Sequence, residues 1–196
     1  MGKKKGQRKE HIYKVAQNLF RERGYAATSM RDLATAVGIE AASLYNHIRS
    51  KEEILQGICA DIANQFFLAL NPIKELDLTA DQKLKRAIHA HIQVITNNLD
   101  ASAVFLHEWR FLSEPFLSEF KTMRSNYEAD YVQIIEKGIE EGVFKTIDPK
   151  FYCLTLFSSL NWIYEWYKPD GKFTVYEISK QLSHLLLNGI RKTEIV

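Results

Sequence analysis

Apolar residues recur at helical spacing along almost the whole chain. Ile12, Val15, Ala16, Leu19 and Phe20 stand at i, i+3, i+4, i+7 and i+8, and Gly24 follows where a left-handed C-terminal cap would fall. This spacing predicts a first amphipathic helix. Thr28-Ser29 offers an N-cap with Asp32 as its acidic partner, and Met30, Leu33, Ala34 and Val37 form a second, short stripe that ends at Gly38. A third short helix is predicted over roughly 40–48, with Leu44 and Ile48 inward. Ser50-Lys51-Glu52-Glu53 reads as a capping box. It opens a long helix through Ile54, Leu55, Ile58, Ile62 and Phe66 to about Leu70, where Asn71-Pro72 is expected to stop it.

The remainder repeats this grammar at larger scale. Thr79 with Gln82 starts a helix to about Leu99, Asp100 heads another to Leu112, and Pro115 sits in the first turn of a long helix reaching Gly142. Asp148-Pro149 and Thr174-x-x-Glu177 open the last two. No strand alternation longer than a few residues, no 20–50-residue repeat and no low-complexity tract interrupts the pattern. The expectation is an all-α fold of about nine helices, with a three-helix domain over 1–52 and a second helical domain over 53–196.

Composition narrows the class. The 196 residues are 46% hydrophobic, enough to bury roughly 70% of the unfolded surface, so most of the chain should fold. Charged residues are 26%, mean hydropathy is −0.25, and no apolar run approaches the ~18 residues of a membrane span. The basic start, Met1-Gly2-Lys3-Lys4-Lys5, is not followed by a signal-type apolar block, so a soluble, cytoplasmic protein with no membrane partner is expected. Cys59 and Cys153 lie far apart outside any CxxC spacing and read as small buried apolar residues. Charge is uneven: residues 1–50 hold ten basic and four acidic side chains, net +6, and the rest is net −4. A basic first quarter joined to an acidic remainder suits a polyanion-binding module.

Two short helices joined by a Gly-containing turn, behind an amphipathic helix and inside a basic segment, form a helix-turn-helix pattern. The third helix would lie in a DNA major groove. Ala41, Ala42 and Ser43 make its leading end small, so the backbone can approach the bases. Tyr45, Asn46 and His47 supply hydroxyl, amide and imidazole groups, and the helix start at Ser50-Lys51 offers N–H groups and a cation to a phosphate.

The stretch from Gly24-Tyr25-Ala26-Ala27-Thr28-Ser29-Met30-Arg31-Asp32-Leu33-Ala34 through Val37-Gly38-Ile39 to Ser43-Leu44-Tyr45-Asn46-His47-Ile48-Arg49-Ser50-Lys51-Glu52-Glu53-Ile54-Leu55 closely resembles the TetR family of bacterial transcriptional repressors. The resemblance covers roughly residues 8–55. It implies that Thr28 and Tyr45 contact phosphates, that Ser29 and Ser43 belong to the reading surface, and that His47 and Lys51 fix the position of the DNA backbone. The chain departs from the family at Glu40-Ala41-Ala42, where many members carry Ser, Lys and Gly. The resemblance further implies a homodimer on a palindromic double-stranded operator, with residues 53–196 as the ligand-binding and dimerisation domain.

Apolar surface in the last helices exceeds what one packed side needs. Leu156, Leu160 and Ile163, with Ile178, Leu182, Leu185 and Leu186, are expected to pair with their symmetry mates. Aromatics concentrate before and between these helices. Phe105, Trp109, Phe120, Tyr127, Tyr131, Trp162 and Trp166 are candidate linings of a ligand cavity, with Arg110, Arg124 and Asn161 as its polar groups. His107-Glu108-Trp109-Arg110 and Asn161-Trp162-x-x-x-Trp166-Tyr167-x-Pro169-Asp170-Gly171-Lys172 are similar to TetR regulators of fatty-acid and steroid catabolism that sense acyl-coenzyme A thioesters. That likeness implies a hydrophobic effector, an acyl-CoA, that releases the operator. Planar or cationic aromatic drugs, sensed by TetR-type repressors of efflux pumps, are the alternative.

Enzyme signatures are missing: there is no phosphate-cradling Gly-rich loop, no GxSxG and no HExxH. No catalysis and no cofactor beyond the effector are expected. His89 and His91, two apart, diverge by about 200° on a helix, so a helical metal sensor would need His107 or His184 brought in by the fold.

Overall fold

A computed structural model describes residues 2–190, with side chains from residue 6 onward; Lys3, Lys4 and Lys5 of the basic start lie outside the described side chains. The helices are α1 (Gly2–Arg23), α2 (Met30–Val37), α3 (Ala41–Tyr45), α4 (Lys51–Lys74), α5 (Ala80–Asn97), α6 (Leu99–His107), α7 (Phe116–Glu140), α8 (Pro149–Asn161), α9 (Ile163–Trp166) and α10 (Val175–Ile190). A 3-10 turn, Glu108–Phe111, follows α6. Among the described residues there is no strand, and no helix is long and apolar enough to cross a membrane. The all-α expectation holds.

Local capping chemistry accounts for several helix starts. Ser29 Oγ accepts from the Asp32 N–H while the Asp32 carboxylate accepts from the Ser29 N–H, the reciprocal box that the sequence predicts. Asp148 accepts from the Phe151 N–H at 2.8 Å, and Thr174 with Glu177 closes the same kind of box ahead of α10. At α4, Ser50 Oγ accepts from Glu53 N–H, but the Glu53 carboxylate reaches one residue further back than expected, to Arg49 N–H at 2.7 Å.

Several element boundaries differ from the sequence reading; α6, for one, ends at His107 rather than Leu112, with the 3-10 turn after it. α4 runs through Pro72 to Lys74 rather than stopping at Leu70. The carbonyl that proline leaves without a helical donor belongs to Leu68, which is 64% exposed, so water can serve it. α3 ends at Tyr45, which leaves Asn46 and His47 on the turn that follows. α8 breaks at Trp162, so Ile163 falls in α9 rather than in one continuous helix.

The described chain forms two compact units that do not coincide with a cut at residue 52. One is Met1–Ala63 with Leu99–Lys121; the other is Asn64–Asn98 with Thr122–Val196. The boundary at 52 falls inside α4, and α6 belongs to the first unit because it packs on α1. The first unit's core is built from Ile12, Ala16 and Phe20 of α1, Leu33 of α2, Leu44, Ile48 and the start of α4. In the second, α5 is the central helix, packed by α8, α9 and α10, with Leu84, Ile88, Ile92 and Ile95 all buried.

Candidate functional site

The first candidate surface is carried by α2, the turn after it and α3. Gly38 adopts φ +74°, and the Ile39 N–H returns to Ala34 O at 3.0 Å, so the chain leaves α2 through a left-handed cap that a side chain would strain. Leu44 and Ile48 are fully buried and pin α3 from beneath. Pinned in this way, Ala42, Ser43, Tyr45 and Asn46 face solvent together, Tyr45 at 54% exposure, with Ala41 half-buried beside them. Glu40 precedes them, exposed and making no capping hydrogen bond. His47 is half-buried, and its Nδ1 is a buried atom without a hydrogen-bond partner.

Two predicted contact residues are turned inward. Thr28 is 1% exposed and its hydroxyl donates to Gly24 O at 2.9 Å, so it presents no donor to a phosphate. The Lys51 ammonium donates to Tyr25 O at 2.6 Å and Thr28 O at 2.7 Å and lies 4.1 Å from the Tyr25 ring centroid. Burial lowers its pKa, and the Glu108 carboxylate nearby works against that shift. Lys51 therefore fastens the turn ahead of α2. Ser29 stays exposed, and its hydrogen bonds to Asp32 hold that carboxyl below its ordinary range.

The candidate ligand residues separate into two clusters. In the first unit, Trp109 stacks on Phe120 with centroids 5.6 Å apart, Phe105 meets Phe120 edge-on at 5.1 Å, and Arg110 lies 4.8 Å from the Trp109 ring. In the second, Tyr127, Tyr131 and Asn161 surround His91. The neutral imidazole accepts from Tyr127 OH at Nδ1 (3.1 Å) and donates from Nε2 to Asn161 Oδ1 (3.0 Å), while Tyr131 OH donates to Ala87 O. Phe66 stacks on His91 at 4.5 Å and Phe157 closes another side at 5.3 Å. Burial pushes the His91 pKa down to about 4 and the phenols of Tyr127 and Tyr131 up.

Sequence reasoning left His91, Phe66 and Phe157 out of this cluster. The only signal for His91 was its place among the buried positions Ile88, Ile92 and Ile95 of α5. Conversely, Arg124, Trp162 and Trp166 are all exposed, Trp162 at 57%. Among the described residues no group of three His, Cys, Asp or Glu side chains comes together as metal ligands.

The predicted pairing residues also divide. Leu156, Leu160 and Ile163 have no exposed surface and Ile178 has 4%, so these four fill the chain's own core and offer no face for pairing. Leu182 and Leu186 are half-buried, and Leu185 is 69% exposed. The apolar surface left open on this unit lies instead at Phe151 and Leu154 of α8, at Trp162, and at Tyr176 and Leu185 of α10.

Residues 77–190 match the family model described as "Tetracyclin repressor-like, C-terminal domain", and residues 12–58 match "Bacterial regulatory proteins, tetR family". The HTH-type transcriptional repressor KstR2 of Rhodococcus jostii is 29% identical over 95% of this chain and 92% of its own. The structure of the ketosteroid transcriptional regulator KstR2 of Mycobacterium tuberculosis superposes with a TM-score of 0.90 at 26% identity, over 95% of this chain and 96% of that one. AibR, solved in complex with isovaleryl coenzyme A and operator DNA, gives 0.81 at 25% identity, over 92% and 98%.

Proposed function

The chain belongs to the TetR family of bacterial transcriptional regulators, and from that premise we propose that it is a cytoplasmic, homodimeric repressor that leaves a palindromic operator when an acyl-coenzyme A thioester binds. The observation that carries the DNA-binding half is the contrast along α3 and the turn after it: Leu44 and Ile48 are fully buried while Ala42, Ser43, Tyr45 and Asn46 face solvent side by side. Small residues at the leading end let the helix approach base edges, and the Tyr45 hydroxyl and Asn46 amide supply the donors. Glu40 adds an acceptor suited to a cytosine amino group. The two-fold pairs such heads across half-sites about one helical turn apart.

The outer apolar faces of α8 and α10, at Phe151, Leu154, Tyr176 and Leu185, supply the dimer surface in place of the four buried residues. For the effector, the support is the likeness to KstR2 and to AibR, whose structure holds an acyl thioester, together with aromatic clusters that suit an apolar ligand. Binding would act by favouring a dimer whose reading heads no longer match the operator.

The test is native mass spectrometry of protein purified from cells, followed by a thermal-shift series of acyl-CoA chain lengths, free fatty acids and planar cationic drugs. Stabilisation confined to the thioesters is the expected result. Stabilisation only by drugs or free acids would transfer the effector assignment to those compounds.

A further inference from the structure

We infer that Glu108, more than fifty residues after the helix-turn-helix, is a positioning residue for operator binding, because its carboxylate holds the turn from which α2 starts. The inference rests on the reading surface proposed above and adds a residue that the surface itself does not contain.

The turn between α1 and α2 has few side-chain supports of its own. Gly24 at φ +84° ends α1, Thr28 N–H returns to Tyr25 O at 3.2 Å, and Ser29 then caps α2. Two charged groups from distant parts of the sequence hold this turn. Lys51 binds the carbonyls of Tyr25 and Thr28, and Glu108 Oε2 accepts from the Tyr25 N–H at 3.2 Å. Tyr25 is thus held at its N–H, its C=O and its ring, the ring 4.1 Å from the Lys51 ammonium and 5.3 Å from the Phe111 ring. Removing the carboxylate takes away the acceptor that the Tyr25 N–H uses, so the turn loses its hold on that side.

Glu108 is itself held in place. It opens the 3-10 turn in which Trp109 stacks on Phe120, and α6 is tied to α1 by the Arg21–Asp100 pair at 2.7 Å. A few residues on, Ser113 binds the Glu52 carboxylate beside Lys51. The carboxylate therefore arrives on a fastened element, which a positioning role requires. The acceptor geometry carries the effect, so a neutral acceptor of the same shape should preserve much of it.

The measurement is operator affinity by fluorescence anisotropy on a duplex selected with the wild-type protein, alongside hydrogen exchange at the Tyr25 amide. Glu108→Ala should weaken operator binding about 10-fold or more and speed Tyr25 exchange, with helicity and dimer mass unchanged. Glu108→Gln should remain within about 3-fold of wild type and keep the amide protected. A support that serves stability alone would lower the melting temperature of Glu108→Ala and leave its affinity untouched, and such equal affinity of wild type and Glu108→Ala would overturn the inference. Failure of the wild type to select any duplex would overturn the DNA-binding reading and the positioning role with it.

Discussion

The two units hold their polar groups by opposite means. In the first, polar side chains clamp backbone at the edges of short helices: Lys51 and Glu108 on the turn at Tyr25, Glu53 on Arg49, and Asp32 on Ser29. In the second, the main polar groups turn away from water, with Tyr127 bonded to His91, His91 to Asn161 and Tyr131 to the Ala87 carbonyl inside an aromatic shell. A surface that must match a rigid duplex needs its backbone fixed. A packed core needs its polar groups satisfied internally, so that each desolvated atom keeps a partner.

The contrast can be broken most strongly at α8. Leu156→Ala empties a fully buried position and should cost about 3 kcal/mol of unfolding free energy, while Leu185→Ala on exposed α10 should change it little; urea titrations of both variants decide this. If Leu156→Ala instead leaves stability intact and dissociates the dimer, the burial assignment is wrong.

Acid sharpens the contrast. His91 is neutral in the fold with a pKa near 4 and titrates near 6.5 when unfolded, so its contribution is complete above pH 6.5 and is lost as pH falls towards 4. The loss should reach about 2 kcal/mol at pH 5 and about 3 kcal/mol at pH 4. In His91→Leu the difference in stability between pH 7 and pH 5 should shrink by that amount. An unchanged pH slope would mean that His91 is not buried.

At the first unit, Gly57→Ala probes the seat of α1 on α4. A Cβ at Gly57 would come within 2.5 Å of the Tyr13 ring, which lies over α4 with its hydroxyl bonded to Glu53 O at 3.3 Å. The ring must move, at about 2 kcal/mol, and tyrosine fluorescence should change with it. The smallest effect is expected from Ser29→Ala, which removes the α2 cap at about 1 kcal/mol and should weaken operator binding only slightly.

The sequence made the reading head legible because its determinants are local. Gly38, the Ser29–Asp32 box and the Leu44–Ile48 spacing lie within the elements they define. What it could not show is set by long-range packing. Glu108 and Phe111 meet Tyr25 across more than eighty residues, and Lys51, which reads as a phosphate ligand, finds two carbonyls first. On α8, apolar residues occupy both sides, so composition alone cannot say that Leu156 and Leu160 face the core while Phe151 and Leu154 face out. His91 shows a third limit: the pattern places it inside, but its partners come from α7 and the end of α8.

The central claim is that the exposed face of α3 reads DNA. Selecting duplexes from a random library with the wild-type protein, then titrating the enriched duplex with wild type and Tyr45→Ala, tests it directly. A palindromic sequence should emerge, with affinity lost by about 100-fold in Tyr45→Ala while dimer mass and helicity stay the same. No enriched duplex, or equal affinity of the two proteins, would contradict it.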